Sequence, residues 1–128
     1  MGRDFRKILA WEKADDLVVE VYHATARFFP REERYGLTAQ IREAAVSVAS
    51  NIAEGSGHRT LKGFRNFLYN AQGSLSEVEY YLHVAHRLGY LDDANYARLA
   101  AQRAEAGRVL AGFIASIEQQ IAQGRVEN

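Results

Sequence analysis

Glu20 and His23 form an E-x-x-H pair in a stretch of helical spacing, the element that di-iron carboxylate bundles use twice. No second copy exists. Three residues after Glu43, Glu54, Glu77, Glu79, Glu105 and Glu118 come Val46, Gly57, Tyr80, Leu82, Arg108 and Ile121. Glu79, His83 and His86 share one helix side and could hold a single metal, yet a helix surface commonly leaves such groups in water. No metal ligand, cofactor or catalytic residue is therefore assigned. The run GSGHRT, Gly55 to Thr60, leads into a helix N-terminus, where backbone amides can hold an anion. It lacks the Lys-Ser/Thr of a phosphate loop and no strand precedes it, so a helix C-cap followed by a turn is the plainer reading. The four histidines, His23, His58, His83 and His86, fall on helices or turns without a strained nucleophile loop, which leaves no basis for a Ser-His-Asp site. His58, Arg59, Lys62 and Arg65 are the candidate contact patch for nucleic acid or another anion. Repeated around an axis they would make a ring of charge; otherwise they are solvated helix surface.

These groups depend on the stretch Gly36 to Gly57, GLTAQIREAAVSVASNIAEGSG. At about 100° per residue, Leu37, Ile41, Ala44, Ala45, Val48 and Ile52 form a core stripe. Gln40, Ser47, Asn51 and Glu54 line up beside it, and Val46, Ala49 and Ala53 occupy a third face. Only Arg42 and Glu43 carry charge between Ala39 and Glu54, whereas a surface helix normally shows a broad charged face. Either the helix sits centrally in a small bundle or its Ala-rich face, with Phe67 of the next helix, packs on another copy. The next helix also has a second row, Gly63, Phe67, Asn70, Ser74, Glu77, Tyr81 and Leu88. A hairpin pivoting about Gly57 puts Ser74 and Glu77 level with Thr38 to Arg42. Gln40, Arg42, Ser74 and Glu77 are then expected in one hydrogen-bonded cluster, with Asn51 and Glu54 near the turn beside Arg59 or Arg65. A structural role is expected for this network, because buried polar side chains must be paired.

The 128 residues are expected to form a single domain, 1–128, large enough to bury a continuous core. Four helices are expected, over about 8–29, 34–54, 60–88 and 93–123. Pro30 ends the first; Gly55, Ser56 and Gly57 stop the second through a left-handed glycine. Thr60 caps the third, Gly89 ends it, and Asp92 or Asp93 caps the fourth. Nothing alternates with period two, and short connections favour antiparallel neighbours. The fold class is all-α, an up-down-up-down four-helix bundle. Sixteen basic and sixteen acidic side chains cancel, which argues against a dedicated nucleic-acid binder. With no cysteine, disulfide scaffolds, thiolate zinc sites and cysteine nucleophiles are excluded. The start, MGRDFRKILAWEKADD, lacks an apolar signal core, and no segment nears the roughly 20 apolar residues of a membrane span. A soluble, cytoplasmic protein is expected.

NIAEGSG, Asn51 to Gly57, is followed by an FxxFLxxAxGSxxE pattern carried by Phe64, Phe67, Leu68, Ala71, Gly73, Ser74 and Glu77. With Trp11, FPREERYGL from Phe28, Gln40-Ile41-Arg42 and LGYL from Leu88, the chain resembles the four-helix-bundle proteins encoded in intervening sequences of bacterial large-subunit ribosomal RNA genes. That family is similar to the accessory variability determinant of diversity-generating retroelements, which binds nucleic acid and partners a reverse transcriptase but is markedly basic. The resemblance implies a homopentamer in which bundles pack as staves of a barrel. The function expected is that of a non-enzymatic homo-oligomeric scaffold or interaction protein, its partner another copy of itself. The alternative is a nucleic-acid-binding accessory protein using a symmetric ring of basic residues.

Overall fold

A computed structural model describes residues 3–124, and among them every regular element is helical. Helix α1 is Leu9–Phe28, α2 Leu37–Ser56, α3 Leu61–Arg87 and α4 Asp93–Ala122; single 3₁₀ turns occupy Phe5–Lys7 and Arg31–Glu33. The helices start and stop close to the expected bounds, except that α2 is displaced toward the C-terminus. Its expected first turn, residues 34–36, is a non-helical turn that follows the 3₁₀ turn Arg31–Glu33, and the helix starts only after Gly36, whose backbone lies outside the helical region at φ −108° and ψ −115°. The expected fraying of the C-terminal stretch falls, beyond Gly124, outside the described residues.

Each helix buries the face its apolar spacing predicts. Leu17 and Val21 of α1, Ile41, Val48 and Ile52 of α2, Phe64, Leu68, Val78 and Leu82 of α3, and Leu99 and Leu110 of α4 meet in one core, all at 2 % exposure or less. Full burial of such a side chain contributes about 1.5–3 kcal/mol. Trp11, Val18, Phe28, Leu37 and Tyr96 close the core at its edges. Helix α2 packs on α1 and α3, and α4 packs on α3 and α1, so the four follow chain order around the core.

The connections are built by named side chains. Thr60 accepts the Gly63 N–H at 3.0 Å and Asp92 the Asn95 N–H at 2.8 Å, each serving one orphan donor of a helix start. Helix α3 ends on Gly89 at φ +80°, where the Gly89 N–H donates to His86 and the Tyr90 N–H to Ala85, a Schellman arrangement. Gly57 behaves otherwise than expected. Its φ is −84°, right-handed, and its N–H donates to the Glu54 and Gly55 carbonyls. The reversal falls at His58 to Thr60 instead, and Arg3 takes up carbonyls there: its N–H donates to Ser56 at 3.2 Å and its guanidinium to His58 at 2.7 Å.

Gly55 serves proximity rather than termination. It lies inside α2, and a Cβ there would stand 2.6 Å from Phe67 Cβ and 2.9 Å from Phe64 Cδ1. Glycine thus lets α2 approach the α3 rings closely just before the turn.

Candidate functional site

The polar row of α2 meets α3 in a different register from the one expected. Ser74 Oγ donates to Ser47 Oγ at 2.8 Å, and Tyr81 Oη donates to Gln40 Oε1 at 3.2 Å. Both pairs put the pivot between Thr60 and Leu61, not at Gly57, so Ser74 lies about two helical turns from its expected neighbours. The cause is the continuation of α2 through Ser56 with the turn beyond it. Asn51 Nδ2 donates to the Ser47 carbonyl at 2.8 Å and to its Oγ at 3.0 Å, which joins Asn51, Ser47 and Ser74 in one short chain.

The single cluster of Gln40, Arg42, Ser74 and Glu77 does not form. Arg42 turns to α1: its Nε donates to Thr25 Oγ1 at 2.8 Å, and its guanidinium lies 4.5 Å from the Tyr22 ring centroid. Glu54 and Glu77 are exposed and make no hydrogen bond or ion pair among the described residues. Glu54 therefore does not engage Arg59 or Arg65. What the sequence joined into one network is divided among an α1–α2 contact, an α2–α3 seam and two free carboxylates.

The interface residues also separate. Ala49 is 8 % exposed within one chain, so it is already covered without a second copy and leaves little surface for a contact face. Val46 is 40 % exposed, Ala53 is half-buried, and Phe67 packs on His58 with ring centroids 4.9 Å apart. Helix α2 thus presents Ala39, Glu43, Val46, Ser50 and Ala53 outward, a row with one charge.

At the α2–α3 turn His58, Arg59 and Lys62 are exposed and Arg65 is half-buried. Arg65 lies 5.8 Å from the Tyr69 ring centroid, and its Nε is buried without a hydrogen-bond partner among the described residues. Tyr69 donates to Glu118 on α4, and this bond is the main cause of a phenol pKa raised above the ordinary tyrosine range. Arg3, which no motif singled out, lies at the same turn with its guanidinium 4.8 Å from the Phe64 ring centroid. Its only sequence signal is charge near the chain start, which does not say where the segment folds.

Three of the side chains considered for metal chemistry, Glu20, Glu79 and His86, are engaged by other groups. Glu79 pairs with Arg103 at 3.6 Å and Glu20 with Arg98 at 3.2 Å; His86 bonds Asp93 at 2.7 Å and stacks on Tyr96. Among the described residues no three His, Cys, Asp or Glu side chains gather as metal ligands.

At the other end of the molecule Glu33 carries out two tasks. Its Oε1 accepts the Leu37 N–H at 3.0 Å and its Oε2 accepts the Tyr90 hydroxyl at 2.8 Å. The first bond, then the second, lowers its pKa from the ordinary carboxylate value, and the second is the main cause of a raised Tyr90 pKa. This side chain ties the start of α2 to the α3–α4 turn.

Comparison with known proteins adds the family. No curated protein matches the sequence. Among solved structures, a protein of unknown function from the S23 ribosomal protein family of Bacteroides thetaiotaomicron VPI-5482 is similar in fold, with a TM-score of 0.76 at 21% identity over 82% of this chain and 97% of that one. A family model described as 23S rRNA-intervening sequence protein matches residues 6–112. No helix among the described residues is long and apolar enough to cross a membrane. The match spans all of α2 and α3, the seam between them and most of α4, and so the chain belongs to the 23S rRNA-intervening sequence protein family.

Proposed function

We propose that this chain is a non-enzymatic, cytoplasmic scaffold that works as a homo-oligomer, its helices running up-down-up-down with antiparallel neighbours. The single observation behind the oligomer is the outward row of α2. Ala39, Glu43, Val46, Ser50 and Ala53 hold one charge, where a helix facing only water would hold several. The antiparallel arrangement is supported by the Ser47–Ser74 and Gln40–Tyr81 pairs, in which the partner's number rises as the other falls. Family resemblance favours five copies arranged as staves of a barrel. Light scattering over a concentration series tests the reading: a mass of several chains is expected, and a single-chain mass at high concentration overturns it.

A second reading, nucleic-acid binding, is favoured by one arrangement. Arg3, His58, Arg59, Lys62 and Arg65 gather at the α2–α3 turn although the whole chain is neutral. Symmetric copies would multiply that charge. Filter binding to RNA and DNA across a salt series distinguishes the two readings. Affinity that weakens steeply with salt supports phosphate contact, and no affinity at low salt leaves the scaffold alone.

A further inference from the structure

We infer that the groove between α1 and α2 receives the outward ridge of α3 from a second copy, in a head-to-tail contact. The inference rests on the oligomeric reading above and assigns it two surfaces. On α3, Gly73, Glu77, Tyr80 and Val84, continued by Leu88 at the C-cap, recur at helical spacing on the side away from the core. Tyr80 is 62 % exposed and Leu88 55 %, large apolar side chains that a lone bundle leaves in water. Glu77, on the same row, has no cationic partner among the described residues, whereas its neighbour Glu79 is held by Arg103.

The groove is the complement in charge. Tyr22, Arg34, Ala39 and Val46 line it together with the hydroxyls of Thr38 and Ser47, and Arg42 donates toward α1. Tyr22 and Val46 are 41 % and 40 % exposed. Neither Arg34 nor Arg42 meets a carboxylate within ion-pair distance among the described residues, and the one acid at the groove, Glu43, is exposed. Arg42 is already held by Thr25 and the Tyr22 ring, so little ordering entropy remains to be lost when an acid binds it. Tyrosine and arginine, both in this groove, are among the residue types that dominate binding energy at protein contacts.

Two grooves facing each other would set these arginines against their own images. Groove against ridge instead brings Glu77 to the arginines and covers Val46, Tyr22, Tyr80 and Leu88 together. Because the two surfaces differ, each copy uses one of each, and the contact propagates until the rotation closes a ring.

Light scattering on Val46→Glu and Tyr80→Glu, each with helicity checked by circular dichroism, tests this. Each variant alone is expected at the mass of one chain. An equimolar mixture is expected at two chains, since the Val46→Glu chain keeps its ridge and the Tyr80→Glu chain its groove. A mixture that stays at one chain, or a variant that keeps the wild-type mass, overturns the contact. A wild-type protein already at one chain overturns the oligomeric reading beneath it, which separates the two failures. Should either glutamate variant lose helicity, Arg34→Glu and Glu77→Arg supply the same test at exposed positions: each lowers the mass and the two combined in one chain restore it. Failure to restore it overturns the pairing.

Discussion

A methyl group at position 55 would meet Phe67 Cβ at 2.6 Å, and that atom cannot swing aside without moving the α3 backbone. Alanine is the better helix former by about 0.5–1 kcal/mol, but the overlap outweighs it. Gly55→Ala should destabilise the fold by roughly 1–3 kcal/mol, read as a lower urea midpoint. Glycine at 55 was plain in the sequence, yet a string cannot distinguish a glycine that ends a helix from one that admits a neighbouring ring. At Glu33 the expected effect is on pH. Its folded pKa is lowered by the Leu37 N–H first and the Tyr90 hydroxyl second, so its contribution is full above the unfolded carboxylate pKa and is lost as pH falls through the folded one. The Tyr90 contribution has the opposite sign, since its raised pKa keeps it until pH climbs through the folded value. Glu33→Gln should therefore lower the thermal midpoint at neutral pH. The gap from wild type should close in acid below the carboxylate range, and a gap constant with pH would contradict this account.

Helices were legible because each has a continuous apolar stripe and clear end signals: Thr60, Gly89 and Asp92 act as their types predict. The mutual register of α2 and α3 was not, because it depends on where the turn begins, and moving that point by three or four residues shifts every facing pair by about seven. The candidate polar site suffered accordingly: none of its six residues has the partner expected for it, and Glu54 and Glu77 face solvent. Only Asn51 and Ser74 belong to the same chain of bonds, through Ser47, a member of the row that had not been placed in the cluster. Two variants test what this seam and its cap contribute. Thr60→Ala, which strands the Gly63 N–H, should cost about 1 kcal/mol. Ser74→Ala should cost about 0.5–1.5 kcal/mol, both measured by chemical denaturation. If the seam fixes register, their combination should depart from additivity by less than either cost, because the cap and the seam lie more than three helical turns apart along α3.

Across the whole molecule, the surplus of small residues on α2 has two destinations, and a pair of glutamates distinguishes them. Ala49 is covered at 8 % exposure, so the weak charge on that side of the helix serves close packing inside one chain. Val46, one turn earlier on the outward row, is 40 % exposed and serves no intramolecular core. Ala49→Glu forces an unpaired carboxylate and four extra heavy atoms into that packing, and should cost about 3 kcal/mol of folding stability. Val46→Glu adds the same charge where water already reaches, and should leave the unfolding midpoint within about 0.5 kcal/mol of a monomeric reference. Thermal unfolding followed at one low concentration reads the first effect, and scattering mass at high concentration reads the second. The expected pattern is a fall in midpoint without a selective loss of mass for Ala49→Glu, and a loss of mass with helicity retained for Val46→Glu. The reverse pattern would mean that the small face of α2, rather than its outward row, is where copies meet.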